Sequence, residues 1–180
     1  MIALSEARKI NVNELKNALP DLKAGDALLL SGTVYCARDA AHKRIMALIE
    51  KGEPLPFPIK DAVIYYCGPT PAKPGMPIGS AGPTTSTRMD GFMDTLLDLG
   101  LLATIGKGGR KEHVVKKMLS KGAIYLCAMG GAGAIAAKSI KSCEVIAFHE
   151  LGCESVKKME FCDFPVVVGI DVNGGTLFSN

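Results

Sequence analysis

An α/β layer fold follows from three features of this 180-residue sequence. Short apolar runs that read as strands alternate with stretches whose apolar residues recur at three- and four-residue spacing, the pattern of helices packed on a sheet. A 48% hydrophobic and 22% charged composition is that of a globular chain with a sizeable core. The length fits a single domain over residues 1–180, since domains most often run about 100–150 residues.

In chain order, Ala27 to Leu30 follows Gly25-Asp26 as a buried strand leading into Ser31-Gly32, where function is expected to begin. Asp39 is a candidate N-cap for a helix carrying Ala40, Ile45, Leu48 and Ile49, and Gly52 stands where a helix C-cap takes glycine. Residues 54 to 83 hold eight of the ten prolines, interrupted by Ala62 to Tyr66, so fixed loops surround one β-branched, aromatic strand. The hydroxyls of Thr85-Ser86-Thr87 are candidate caps for a second helix bearing Met93, Leu96 and Leu97, ended by Gly100. Leu102 to Ile105, the Gly106 to Arg110 turn, and a basic helix with Val114, Val115, Met118 and Leu119 form a further strand, loop and helix. Ala123 to Ala128 is the next strand, followed by a glycine turn and a small-residue helix reaching Ile140. Val145 to Phe148 and Pro165 to Ile170 read as strands, and Asn173-Gly174-Gly175 turns the chain into a closing hairpin with Thr176 to Phe178. That hairpin and the proline-rich middle argue against a regular doubly wound sheet.

Charge and composition exclude several classes. A net charge of +3 with no long basic block leaves no footprint for nucleic acid or a membrane surface. The N-terminal residues Glu6, Arg8, Lys9, Glu14 and Lys16 break any secretory core, so a cytoplasmic location is expected. The longest uncharged run, Gly122 to Ala137, is shorter than the roughly 20 apolar residues that span a bilayer. Six cysteines, at 36, 67, 127, 143, 153 and 162, form no C-x-x-C pair, and the three histidines form no H-x-x-x-H pair. Reduced thiols lying mostly in the core, and no metal site, are expected.

Four segments carry candidate chemistry. Gly131 to Ala136 fits the dinucleotide pattern G-x-G-x-x-G/A with Glu150 beyond it, but it falls too late in the chain to open a nucleotide-binding unit. Its simpler reading is a helix packed closely on a sheet. Gly82 to Arg88 places four hydroxyls and a guanidinium at a helix start, a turn suited either to ordinary capping or to a carboxylate or phosphate. Arg38 with Asp39, and Lys107 within a glycine loop, each follow a strand. Three strand-to-helix loops each offering a cation point to a site for a small dianion such as a dicarboxylate. No paired carboxylates, Cys–His pair or Ser–His–Asp set can be read beside them.

These residues extend into longer motifs: Leu30 to Tyr35 with Ala37 to Arg44, Tyr66 to Pro71, Gly79 to Thr85 with Arg88-Met89-Asp90, and Ile105 to Gly108. The glycine turn at 130–133, Glu150-Leu151-Gly152 with Glu154, and Asp163-Phe164-Pro165 complete them. Together they run across nearly the whole chain, which resembles the beta subunit, or C-terminal domain, of the iron–sulfur class I fumarate hydratases and L-tartrate dehydratases.

The resemblance implies a swivelling β/β/α domain, a layered mixed sheet with flanking helices. It implies that a separate alpha subunit, assembled as α2β2, holds a 4Fe-4S cluster to which none of the cysteines here belongs. Arg38, Arg88 and Lys107 would bind the substrate carboxylates, Thr84 would set its hydroxyl against the reacting carbon, and Thr85 would be a second hydroxyl at a carboxylate. Asp39 would orient Arg38, and His42, one turn into a helix, would lie behind the site or pack in the core. The implied reaction is reversible hydration of fumarate to L-malate, or dehydration of tartrate to oxaloacetate, with an open iron of the partner's cluster acting on the hydroxyl. A non-catalytic carboxylate- or phosphate-binding module is the alternative from another class.

Overall fold

In the computed structural model, which describes residues 6–128 and 133–178, β2 (Ala27–Cys36) alternates buried and half-buried residues over its full ten-residue length. It therefore continues past Ser31-Gly32, where the sequence led us to expect its end. Gly32 has φ 115° and marks a shift in strand register, so this glycine makes a bulge within the strand. A β-carbon there would lie 3.3 Å from that of Val12.

Four strands join β2 in parallel: β1 (Arg8–Asn11) on its N-terminal half, and β3 (Val63–Tyr65), β4 (Ala103–Gly106) and β5 (Ile124–Ala128) in succession from its C-terminal half. The fifteen-residue β7 (Val156–Ile170) runs antiparallel and pairs with β5 on one edge and with β2 on the other. The sheet therefore closes as a ring β2-β3-β4-β5-β7. Closure leaves few free backbone edges within the ring, and β6 (Ile140–Ala147) covers the remaining length of β7. The architecture is a mixed seven-stranded sheet with flanking helices.

Alternation along the strands makes two cores. Leu28, Leu30, Val34, Tyr65, Phe161 and Phe164 fill one, and the Tyr65 hydroxyl donates to the Ala81 carbonyl. Ile64 and Tyr66 point the other way, into a core made with α2 (Asp39–Lys51), α3 (Asp90–Asp98) and α4 (Glu112–Lys121) through Ile45, Met93, Leu96, Val114 and Met118. Each such fully buried aliphatic side chain contributes about 1.5–3 kcal/mol. The sequence reading assigned no element to residues 8–22, which form β1 and α1 (Val12–Ala18) with Leu15 fully buried.

Several element ends differ from expectation. Arg38, with extended φ −135°, is the N-cap of α2, and Asp39 is its first residue, where a carboxylate favours the helix dipole. Gly52 does close α2 in the left-handed conformation, at φ 66°. Thr85 makes no side-chain cap: a 3-10 turn, Ser86–Met89, comes first and α3 begins at Asp90. The closing hairpin is reduced to one bridge, Ile170 to Thr176, tied down by the Asp171 carboxylate, which accepts from Ala24, Asn173 and Gly175 N–H groups at 2.8 Å each. The cysteines are less buried than expected: Cys36 and Cys67 are in the core, Cys127 and Cys143 are half-buried, and Cys153 and Cys162 are exposed. No helix among the described residues is long and apolar enough to cross a membrane.

Candidate active site

The carboxyl ends of the parallel strands face one way, and the loops that leave them build the site. Arg38 follows β2, and Lys107 follows β4. Between them, Thr84 to Ser86 is wedged along the continuations of β3 and β4. The Thr84 N–H donates to the Tyr66 carbonyl at 2.7 Å, Lys107 N–H donates to the Thr84 carbonyl at 3.3 Å, and Ser86 N–H donates to the Lys107 carbonyl at 3.0 Å. This short bridge fixes Thr84 and Thr85 by backbone, leaving both side chains on the wall of a cavity of about 410 Å³. Arg38, Arg88, Lys107, Ser80 and the backbone of Gly68, Gly82 and Gly133 complete the wall. Five residues singled out from the sequence, Arg38, Thr84, Thr85, Arg88 and Lys107, thus meet around one space.

Asp39 and His42 lie behind that wall. Asp39 Oδ2 accepts from Arg38 Nε at 3.2 Å and its Oδ1 accepts from Arg88 Nε at 2.9 Å, so one carboxylate holds two arginines by their inner nitrogens. No described residue bonds the terminal nitrogens of either arginine, and these are the atoms that grip a carboxylate in a fork. Burial pushes the Asp39 carboxyl up, but its own backbone N–H and the two arginines outweigh it and hold it below its ordinary value. The Arg38 guanidinium rests on Gly68, where a β-carbon would come within 2.9 Å of Nη1.

His42 is fully buried, its ring stacked on Phe92 and edge-on to Tyr66, and its Nδ1–H donates to the Arg38 carbonyl at 2.9 Å. Burial pushes its pKa down to about 4, with nearby Arg110 acting in the same direction, so the ring is neutral at pH 7. It supports the Arg38 backbone from inside and does not line the cavity.

Behind Lys107 lies a buried polar network that sequence reasoning missed. Arg110 Nε donates to Asp90 Oδ1 at 2.6 Å, with both side chains fully buried, and the Lys111 N–H donates to Asp90 Oδ2 at 2.8 Å. The Tyr125 hydroxyl donates to the Gly108 carbonyl at 2.7 Å and lies 2.8 Å from Ser86 Oγ, linking the Lys107 loop to the Thr84–Ser86 bridge. A β-carbon at Gly106 would fall 2.0 Å from Ser86 Oγ, so glycine is required there. The signal available in sequence was weak: Asp90 and Arg110 stand twenty residues apart on different elements, with no local pattern to pair them.

In the dinucleotide-like segment, residues 131 and 132 lie outside the described residues, and α5 (Gly133–Lys138) begins at 133. A β-carbon at Gly133 would lie 2.4 Å from Ser80 Oγ, and the Ala81 N–H donates to the Gly133 carbonyl at 3.1 Å. Close approach of the 80–82 segment is the packing reason for that glycine. Cys36 and Cys67 sit below Arg38 and Gly68 with their Sγ atoms 3.2 Å apart, and burial pushes the Cys67 thiol up. Among the described residues no three His, Cys, Asp or Glu side chains converge as metal ligands would.

Comparison with known proteins places this geometry in context. A family model described as "Fumarase C-terminus" matches residues 2–180. The chain is 39% identical over 170 residues to a Leishmania major protein named "Fumarate hydratase 2", covering 93% of this chain and 30% of that one. It is 38% identical over 179 residues to the Escherichia coli protein "Fumarate hydratase class I, anaerobic", covering 96% and 33%. It is also 36% identical over 169 residues to a Methanocaldococcus jannaschii protein named "Putative L(+)-tartrate dehydratase subunit beta", covering 91% of this chain and 87% of that one. The chain therefore spans about a third of the fumarate hydratases it matches and most of the length of the tartrate dehydratase subunit.

Proposed function

This chain belongs to the fumarase C-terminus family, and from that premise we propose that it is the substrate-holding beta subunit of a hydro-lyase that reversibly hydrates fumarate to L-malate. The observation that carries the reading is the convergence of Arg38, Arg88 and Lys107 with the Thr84 hydroxyl on one cavity. Three cations around so small a space favour a compact dianion. In this reading Arg38 and Arg88, anchored at Nε by Asp39, offer their terminal nitrogens to the two carboxylates of a four-carbon acid. Bidentate grips at both ends fix which face of a flat substrate is presented, and orientation is a large share of such a barrier. Thr85 adds a hydroxyl at one carboxylate.

Thr84 exchanges the proton at the carbon beside the one that carries the hydroxyl. A threonine hydroxyl is a weak acid in water, so the exchange requires the alkoxide to be stabilised as it forms. Lys107 supplies that charge from the next strand end, with Thr84 immobilised by its two backbone hydrogen bonds. Asp39 and His42 act at one remove, on the side chain and the backbone of Arg38.

A 4Fe-4S cluster does not fit the described residues of this chain. The cavity is walled by guanidinium, ammonium and hydroxyl groups, which do not ligate iron, and the two buried free thiols share a hydrogen bond beneath it. We assign the cluster of the proposed enzyme to a separate alpha subunit, in an α2β2 assembly in the cytoplasm. A second reading, an L(+)-tartrate dehydratase beta subunit forming oxaloacetate, is favoured by the 36% identity over 169 residues to the relative named "Putative L(+)-tartrate dehydratase subunit beta".

Co-expression with an alpha subunit under anaerobic conditions, followed by ultraviolet assay of fumarate hydration beside L-tartrate dehydration, tests both. Activity that needs both chains and falls at least about a hundredfold in Thr84→Ala is expected, with the better substrate naming the enzyme. A cluster-loaded complex that turns over neither acid would reject the hydro-lyase reading in favour of a carboxylate-binding module.

A further inference from the structure

Glu154 ends a turn with unusual construction. Residues His149–Glu154 form a kinked 3-10 segment interrupted at Gly152, whose φ 59° and ψ −120° are open to glycine and costly for other residues. The segment folds round the ammonium of Lys157, a lysine only 6% exposed. Lys157 Nζ donates to Ser155 Oγ at 2.8 Å, with the carbonyls of Cys153 at 3.0 Å, Ser155 at 3.1 Å and Gly152 at 3.3 Å also in reach. Burying an ammonium is expensive unless such oxygens surround it, and here all of them belong to one turn.

The turn delivers a carboxylate to the site. Glu154 Oε1 lies 3.0 Å from Arg38 Nε, is out of contact with solvent, and receives no hydrogen bond from any described group. An oxygen in that position is held by charge alone, and the charge it meets is Arg38. Asp39 also touches Arg38 Nε, but Asp39 is shared with Arg88 and cannot set the two guanidiniums independently. Glu154 adds a second anchor to Arg38, in addition to its contact with Gly68.

We propose that Glu154, presented by the turn that Lys157 holds together, is the positioning residue that aims the terminal nitrogens of Arg38 at the substrate carboxylate. This rests on the reading that Arg38 binds a dicarboxylate. Glu154 touches no substrate itself, so its loss acts on binding through Arg38.

The test uses the assembled two-chain complex, with turnover kinetics and calorimetric binding of succinate, a four-carbon dicarboxylate with no double bond or hydroxyl to react. Glu154→Gln, which keeps shape and removes charge, is expected to raise KM and the succinate Kd about tenfold while kcat changes by less than about threefold. In an Arg38→Lys background the same substitution is expected to have almost no further effect, because a cation remains but the guanidinium fork that Glu154 aims is already gone. Lys157→Met, checked for folding by circular dichroism, should shift KM in the same direction. An unchanged KM and Kd in Glu154→Gln, or a tenfold effect that persists in Arg38→Lys, overturns the assignment. An active wild type with either result leaves the hydro-lyase reading standing. A complex that binds succinate but turns over neither acid removes that reading and leaves the Kd comparison to decide on Glu154; one that neither binds nor turns over overturns both.

Discussion

Acidification should expose the cost of keeping His42 neutral behind Arg38. Its pKa falls from 6.5 to about 4 on folding, because burial penalises the imidazolium. Between those values the unfolded chain binds a proton that the folded chain refuses. The contribution is therefore complete above about pH 6.5 and is lost as pH falls toward the folded value. From about pH 7.5 to about pH 5 the loss comes to about 2 kcal/mol, with a limiting slope of ~1.4 kcal/mol per pH unit. Urea unfolding with an m-value of about 2 kcal/mol/M would show the midpoint moving down by about 1 M. The depressed carboxyls, Asp39, Asp98, Glu112, Glu150 and Asp171, lose their contributions only below about pH 4.5 and leave the upper window to histidine. His113 and His149 are exposed and offer no comparable burial. In His42→Asn, which keeps a donor toward the Arg38 carbonyl, stability should be lower throughout but nearly flat from about pH 7 to about pH 5. A flat wild-type profile, or an equal slope in His42→Asn, would refute the assignment.

Three further outcomes follow from the site. Arg88→Lys keeps the charge but loses both the fork and the 2.9 Å anchor on Asp39, so kcat/KM of the assembled enzyme should fall about tenfold or more; an undiminished rate removes Arg88 from the binding scheme. Gly68→Ala puts a methyl within 2.9 Å of Arg38 Nη1, so KM should rise while unfolding stability stays within about 0.5 kcal/mol, since a flexible side chain can give way; a normal KM would mean that Arg38 need not rest on Gly68. Asp90→Asn leaves the fully buried Arg110 charge without its partner, at a cost of about 3–5 kcal/mol, or roughly 10 °C in Tm by differential scanning calorimetry; a shift under about 3 °C would mean that the pair contributes little.

Arg38 and Lys107 were legible in the sequence because each sits in a loop directly after an apolar run, and Arg88 because it closes a run of hydroxyls at a helix start, all of them local signals. The same held for α2 and α4, whose apolar spacing, with the closing Gly52 of α2, is complete within one element. Other features depended on distant partners and left no local trace. β2 was cut short because glycine at 32 resembles a turn until the register with β7 identifies a bulge. The seven-residue α1 was too short for its periodicity to emerge. Arg110 gave no sign of its partner, since Asp90 lies twenty residues away on another element, and Lys157 gave none of its burial, since the carbonyls it meets two to five residues away converge on it only through the kink at Gly152.

Closure of the ring is what turns these separate loops into one site. Pairing of β2 with β7 sets Cys36 opposite Lys157. Running on from that register in opposite directions, the chain reaches Arg38 two residues later on one strand and Glu154 three residues earlier on the other. The 3.0 Å contact between them is therefore a consequence of strand register, and a one-residue slip of β7 would break it. The arrangement also eases the electrostatics of the cavity. Arg38, Arg88 and Lys107 would repel one another around so small a space, but Asp39 and Glu154 occupy the inner nitrogens of the two arginines and leave the side chains named here with an excess of one positive charge. Under the proposed function, a single dicarboxylate would find two forks already anchored at their inner nitrogens, so more of its binding energy would go to orientation at Thr84.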